Sequence, residues 1–410
     1  MKAFGQQSIF EIRHALEEIP GAIRDDPSPE GVEGGKEPAI EIWRWDPDTV
    51  PLAPDAIDMS TEGADAEEQM ADEPTVIFEV PPSLTDADIR NAMGEERIGT
   101  LDRLQQIRGV DALGWFVNFH QRKFQHGVYV PAEGVLWMVL RVLHDIGLPL
   151  DRKIELAFHA ILRHELFHFA ADRMTANWEM ATGVPVYWPS RGHRNEAGYI
   201  EHEEALANAY MLRGFKHPTR LLAGAPGVYA ALKRFCEKQP SGYSDGPLYA
   251  KTRSDFLREC TYLSDNYHQV SGAAWHVPHA FDTVMLYPDP TRIDWTRCPI
   301  IIADDHGLFK LLGINVAPFQ SVQDVVETPV FSKSLNKLDK RLQKLWLSRK
   351  DLLTVSTSFK SLDFKQWKAA GPDFYSVRVD GNYRVHLRYD RDKLCWFAEA
   401  IGNHKAMMHG

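Results

Sequence analysis

One stretch constrains this chain more than any other. Residues 152–174, RKIELAFHAILRHELFHFAADRM, are apolar at Ile154, Leu156, Phe158, Ile161, Leu162, Leu166, Phe167 and Phe169. On a 3.6-residue period these side chains reach almost every face, and a helix that is apolar all round lies inside a protein. Asp151 stands just ahead as an N-cap. Other elements must therefore wrap this helix, and each polar group on it needs a partner or a use.

Such groups are present. His164-Glu165-Leu166-Phe167-His168 has the spacing H-E-x-x-H. Residues four apart share a helix face, so the two imidazoles project together, as two ligands of one metal ion must. Glu165 lies about 100° further round, close enough to reach a water without being a ligand. Zinc takes nitrogen and oxygen donors in a tetrahedral set with one position kept for water, so a third protein ligand is needed. The next helical stretch, EHEEALANAY at 201–210, offers His202, Glu203 and Glu204. Glu204 is the preferred ligand because Asn208 falls one turn later on the same face and can brace a ligand from behind. Glu203 stays open as the alternative. His159, five residues before His164, is a poor helical partner and reads as a packed core histidine. The competing interpretation is a core helix whose polar residues satisfy one another. With 17 histidines in the chain, such a motif arises by chance roughly once in twenty.

HELFHFAAD followed by EEALANAY resembles the gluzincin-type zinc metallopeptidases. It is most similar to the ImmA/IrrE-like group of small bacterial cytoplasmic peptidases, whose third ligand lies in an E-x-x-A-N pattern. Here that pattern is Glu204-Ala205-Leu206-Ala207-Asn208. The resemblance spans roughly residues 95–215. It implies a mainly helical zincin-like core with a small sheet, Zn2+ on His164, His168 and Glu204, and a protein or peptide substrate. Glu165 would take a proton from water and deliver it to the leaving amine. For the donor that steadies the oxyanion, Tyr199, His193 and His202 remain equal candidates.

The last eighty residues change character. The net charge of the chain is −11, yet Lys and Arg outnumber Asp and Glu about two to one over 331–410, a local charge of about +8. Most of the compensating negative charge lies in the first hundred residues. SKSLNKLDKRLQKLWLSRKDLL is basic and helical, and FYSVRVDGNYRVHLRYDRDKLCWFAEAIG reads as three strands turning at Asp380-Gly381-Asn382 and Asp390-Arg391-Asp392. This region, 328–410, resembles the RelE/ParE toxin superfamily, two helices followed by a curved antiparallel sheet. The resemblance implies a surface for RNA or the ribosome. Arg378 and Arg384 would face phosphate, His404 would be an acid or base, and Lys365 and Lys368 would add backbone contacts. Ribonuclease members often end in a base-stacking tyrosine; this chain ends Met407-Met408-His409-Gly410, leaving His409 as the substitute.

Elsewhere the sequence excludes more than it specifies. Cys236, Cys260, Cys298 and Cys395 form no C-x-x-C pair, so neither a disulfide framework nor a cysteine zinc site is indicated. GVLWMVLRVL is broken by Arg141, so no membrane partner is expected. The N-terminus lacks the apolar run of a signal peptide, and a cytoplasmic protein is the expectation. Residues 20–75 are rich in Pro, Gly, Asp and Glu and are expected to be mostly flexible, with AIEIWRW and TVIFEV as strands. Further strands are expected at GWFVNFH, HGVYV and CPIIIADD, and a helix over roughly 132–145. The expectation is an α+β, multidomain chain: an acidic N-terminal region at 1–90, the H-E-x-x-H domain at 91–290, a connecting segment at 291–327 and the RelE-like domain at 328–410. The expected function is a zinc-dependent peptidase coupled to a toxin module in a bacterial stress or phage-defence response. The rival expectations are an mRNA endonuclease toxin with a structural or sensing H-E-x-x-H domain, and a non-catalytic binding protein.

Overall fold

A computed structural model describes residues 9–24, 41–45, 75–122, 125–189, 199–216, 227–270, 298–319, 325–355, 362–367, 370, 374–390 and 395–403. The chain is mixed α and β and divides into two compact units, the larger ending at Val316 and the smaller continuing from Ala317. The expected flexible stretches 25–40 and 46–74 lie outside the described residues.

In the larger unit the apolar stretch forms one helix, Leu150–Thr182, hereafter the central helix. Phe158, Phe167 and Phe169 are wholly buried along it. Asp151 is not its N-cap. Pro149 takes that position with φ −61° and ψ 154°, because its ring already holds the required dihedral. Asp151 instead sits in the first turn, accepting the Arg152 N–H at 2.8 Å, where a negative charge suits the helix dipole. Gly183 ends the helix in the left-handed conformation, φ 69°, its N–H returning to Glu179 O.

A four-stranded sheet packs beside the central helix in the order Glu41–Trp45, Ile300–Ala303, Gly127–Pro131, Trp115–Val117. Ile300–Ala303 pairs parallel with Gly127–Pro131; both outer pairings are antiparallel. Within residues 291–327, the expected connecting segment, the strand expected at CPIIIADD is Ile300–Ala303, an inner strand of this sheet. All four of that strand's residues are buried, as a run of β-branched residues demands. The helix expected over 132–145 is shorter, Ala132–Arg141.

The helix Tyr199–Lys216, hereafter the carboxylate helix, runs antiparallel to the central helix. Their contact is close because Gly214 has no side chain: a Cβ there would lie 2.2 Å from the Arg163 guanidinium carbon. That guanidinium lies over the Tyr210 ring at 4.4 Å and donates to Tyr210 O at 3.2 Å. The helices Val228–Cys236 and Arg253–Val270 pack on the carboxylate helix from outside. Cys236, Cys260 and Cys298 are buried. Among the described residues no helix is long and apolar enough to cross a membrane.

The smaller unit begins its helical part with two helices. Pro329–Leu335 is capped by Thr328 Oγ1, which accepts the Phe331 N–H; Lys340–Val355 follows Asp339, whose Oδ1 accepts the Leu342 N–H. Asp339 thus restarts the helix that Asn336 ended. A five-stranded sheet follows, ordered Val325–Glu327, Cys395–Asn403, Tyr383–Asp390, Phe374–Arg378, Lys365–Gln366. The three long strands form an antiparallel meander; Val325–Glu327 joins it in parallel. Phe331, Trp346 and Trp396 are wholly buried in its core.

Candidate metal centre

The two antiparallel helices bring the sequence motifs together. His164 Nε2 and His168 Nε2 lie 3.4 Å apart. Glu204 Oε2 is 3.1 Å from the first and 3.4 Å from the second. A residue the motif did not indicate completes the group: Asp111 Oδ1, on the 3-10 turn Gly109–Ala112, is 3.1 Å from His164 Nε2. All four donor atoms lie within 4.8 Å of one another, a set that suits a metal ion.

The other ring nitrogens face outward. His164 Nδ1 meets Asn208 Oδ1 at 3.1 Å, and His168 Nδ1 meets Glu203 Oε1 at 3.0 Å. With an acceptor at each Nδ1, that nitrogen keeps its proton, and Nε2 is the nitrogen whose lone pair a metal ion would take on displacing the Nε2 proton. Asn208 is itself oriented, its Nδ2 donating to Gln239 Oε1 at 2.9 Å and Tyr243 O at 3.0 Å. Glu203 and Glu204 therefore differ in place: Glu204 reaches both Nε2 atoms, and Glu203 holds the outer nitrogen of His168.

Glu165 is wholly buried beside this group, and its Oε1 has no hydrogen-bond partner among the described residues. Gly114 makes room for it: a Cβ there would lie 2.5 Å from Ile161 Cγ2 and 3.3 Å from Glu165 Oε1. Burial pushes the Glu165 carboxyl up to about 8. Burial likewise raises Asp111 to about 6, with the Glu204 charge adding to it. Burial opposes charge on the imidazoles, but hydrogen bonds to Asp111 and Glu204 outweigh it and raise His164 to about 9. His168 moves well above its usual value because Glu204 and Glu203 together outweigh the opposing effect of burial. Glu204, although buried, is held well below the usual carboxylate range by His168 and His164. Any cation that takes these four atoms must displace imidazole protons.

His159 is wholly buried and lowered to about 3 by burial and by Arg152 and Arg163, so it is neutral. The ring of His202 is held among Tyr249, Tyr262 and Glu259, away from the donor group. His193 and the side chain of Tyr199 lie outside the described residues.

In the smaller unit Arg378 and Arg384 stand directly opposite across paired strands. Like charges so placed repel, and Asp363 resolves it: its Oδ2 is 2.8 Å from Arg378 Nη2 and 2.5 Å from Arg384 Nη1. Arg384 was expected to face phosphate. Its guanidinium is instead wholly buried, bonded to Asp363 and to Ser376 Oγ, because residues 362–367 fold over it. Of the expected phosphate contacts among the described residues, Arg378 and Lys365 face solvent, at 42% and 56% exposure, each also paired with Asp363. Lys368, His404 and His409 lie outside the described residues.

No protein-family description matches this chain, and no curated protein or solved structure matches it either.

Proposed function

We propose that the larger unit is a zinc-dependent peptidase. The observation that carries this reading is the convergence of His164, His168 and Glu204 on one point, with the unpartnered Glu165 carboxylate buried beside them. The donor set fits zinc in kind, two imidazole nitrogens and carboxylate oxygen. A zinc ion held there would polarise a scissile carbonyl, acidify a water and lower the pKa of Glu165. Glu165 then serves as the base that takes the water's proton and returns it to the leaving amine. Asn208 and Glu203 hold the two imidazoles in the ligating tautomer. The strand Trp115–Val117 follows Gly114, which lies against Glu165, and is the outermost of its sheet among the described residues. An extended peptide can pair along that edge.

The test is metal content together with hydrolysis. Purified wild-type protein is expected to hold one zinc per chain and Glu204→Ala far less. Glu165→Gln is expected to keep the metal and lose peptide cleavage. Metal-free wild type, or full activity in Glu165→Gln, would remove the proposal.

The smaller unit supports a second reading, a RelE-like module that contacts RNA or the ribosome. Two helices followed by an antiparallel meander and the solvent-facing pair Arg378 and Lys365 favour it. Charge reversal at both positions in the full chain should weaken RNA binding and flatten its salt dependence. Unchanged binding would argue against it.

A further inference from the structure

Hydrolytic zinc centres use three protein ligands and leave a corner for solvent; four protein ligands make a closed, structural centre. The cluster described above has four donors. For bonds of about 2.0–2.1 Å, the edge of a tetrahedron is about 3.3–3.4 Å. His164–His168, His168–Glu204, His164–Glu204 and His164–Asp111 separations are 3.4, 3.4, 3.1 and 3.1 Å. Asp111 thus stands one such edge from His164 Nε2 and within 4.8 Å of the other two donor atoms, near enough for a rotation of its carboxylate to bring it onto an ion they hold.

We propose that Asp111 is a displaceable fourth ligand, so that the centre is held closed until its carboxylate swings away. The inference rests on the zinc-peptidase reading. Asp111 differs from the other three donors in two ways. It is carried by a single 3-10 turn, not by either long helix. Its side chain is also the most exposed of the four, at 26% against 0%, 14% and 8%. The turn itself is anchored at both ends. Gly109, at φ 61°, is pressed so close to Gln239 and Tyr243 that a Cβ would lie 2.7 and 2.8 Å from them. Leu113 is backed by Gly134, where a Cβ would lie 2.1 Å from Leu113 O. The backbone is thereby fixed, and release is a rotation of one partly exposed side chain. Gln239 and Tyr243 also hold Asn208, which orients His164, so the turn and the first histidine share one support. The unpartnered Glu165 Oε1 is consistent with a closed centre: its proton donor arrives only with the solvent that Asp111 excludes.

The test uses the full chain substituted with cobalt(II), whose visible absorption reports coordination, and azide as an exogenous ligand. Wild type is expected to bind one cobalt, to show a tetrahedral spectrum and to respond weakly to azide. Asp111→Ala should keep one cobalt, change spectrum and bind azide at least tenfold more tightly; Asp111→Asn should fall between. Equal azide affinity and identical spectra in wild type and variant, with metal in both, would overturn the inference while leaving the peptidase reading in place. Wild type that binds no metal would overturn both. Should the variants not fold, wild type decides alone: a full spectral response to azide removes Asp111 from the ligand set, and X-ray absorption showing four protein donors without that response supports it.

Discussion

Two buried groups of histidine and carboxylate share the central helix, and they differ in where the imidazole nitrogens point. In the first, His120 lies between two carboxylates: Nδ1 is 2.8 Å from Asp172 Oδ1 and Nε2 is 2.8 Å from Glu179 Oε2. The remaining oxygens are also used. Asp172 Oδ2 accepts the Phe119 N–H, and Glu179 Oε1 accepts the N–H groups of Val186 and Tyr187. Tyr187 stacks on the imidazole at 4.2 Å. In the second group each histidine turns Nδ1 outward to a single acceptor and Nε2 inward to a common point. The residue types are the same, but the first network is saturated and ties the turn after Trp115–Val117 to the central helix, while the second concentrates donors and leaves Glu165 Oε1 without a hydrogen-bond partner among the described residues. Satisfied lone pairs mark a structural network; convergent ones with an unsatisfied neighbour mark a site.

That contrast is open to measurement. The largest effect is expected from Glu179→Ala, which strands a buried imidazolium and should cost about 3–5 kcal/mol. Urea unfolding measures the loss, and the folded protein should keep its metal content. A cost below about 1 kcal/mol, or loss of metal without loss of stability, would erase the distinction.

The pH dependence of stability comes next. Burial disfavours the His120 imidazolium, but Asp172 and Glu179 outweigh it and raise its pKa to about 9 from 6.5. The folded state therefore favours the proton. The stabilisation is complete below about pH 6.5 and is lost as pH rises through 9, about 3 kcal/mol at about 1.4 kcal/mol per pH unit. Unfolding followed from pH 6 to 9.5 should show this loss in wild type, and His120→Gln should be flatter by that amount. Parallel curves would mean that His120 is not the charged member.

Glu203→Ala should weaken zinc binding by about 10–100-fold while leaving capacity at one ion per chain, since it removes only the group that holds the outer nitrogen of His168. Competition with a chelator of known affinity measures this, and complete loss of binding would make Glu203 a ligand. The smallest stability effect is expected from Glu165→Gln. Replacing this buried carboxyl should leave the free energy of unfolding unchanged or raise it by up to about 1 kcal/mol, as at sites where function opposes stability. A substantial loss would place Glu165 in a satisfied network like that of His120.

How much was legible follows from spacing. His164, His168 and Glu165 are readable because helix periodicity fixes their relative directions over four residues. Asn208 is readable for the same reason once Glu204 is chosen. Glu203 and Glu204 are adjacent, so periodicity alone leaves them both open; the packing of the two helices separates them. Asp111 carries no local signal. It lies 53 residues before His164 in the segment GVDALGW, on a turn whose position depends on Gly109, Gln239, Tyr243 and Gly134. Arg378 and Arg384 read alike in their strands, yet one faces solvent and the other is buried under Asp363, whose φ of 40° belongs to no sequence pattern. His120, Asp172 and Glu179 gave no cue, because their partnership spans 52 and 59 residues.

By itself the sequence determined that a helix apolar on all faces must be enclosed, and that two imidazoles and a carboxylate on it would share a neighbourhood. Both are consequences of a period of 3.6 residues and of the cost of wetting apolar surface. Only the tertiary structure decided which carboxylates close on those imidazoles, that Asp111 is one of them, and that His120 is buried in a network instead of a site. Those outcomes depend on contacts between segments far apart in the chain, where no local period operates and the fit of one surface against another selects the partner.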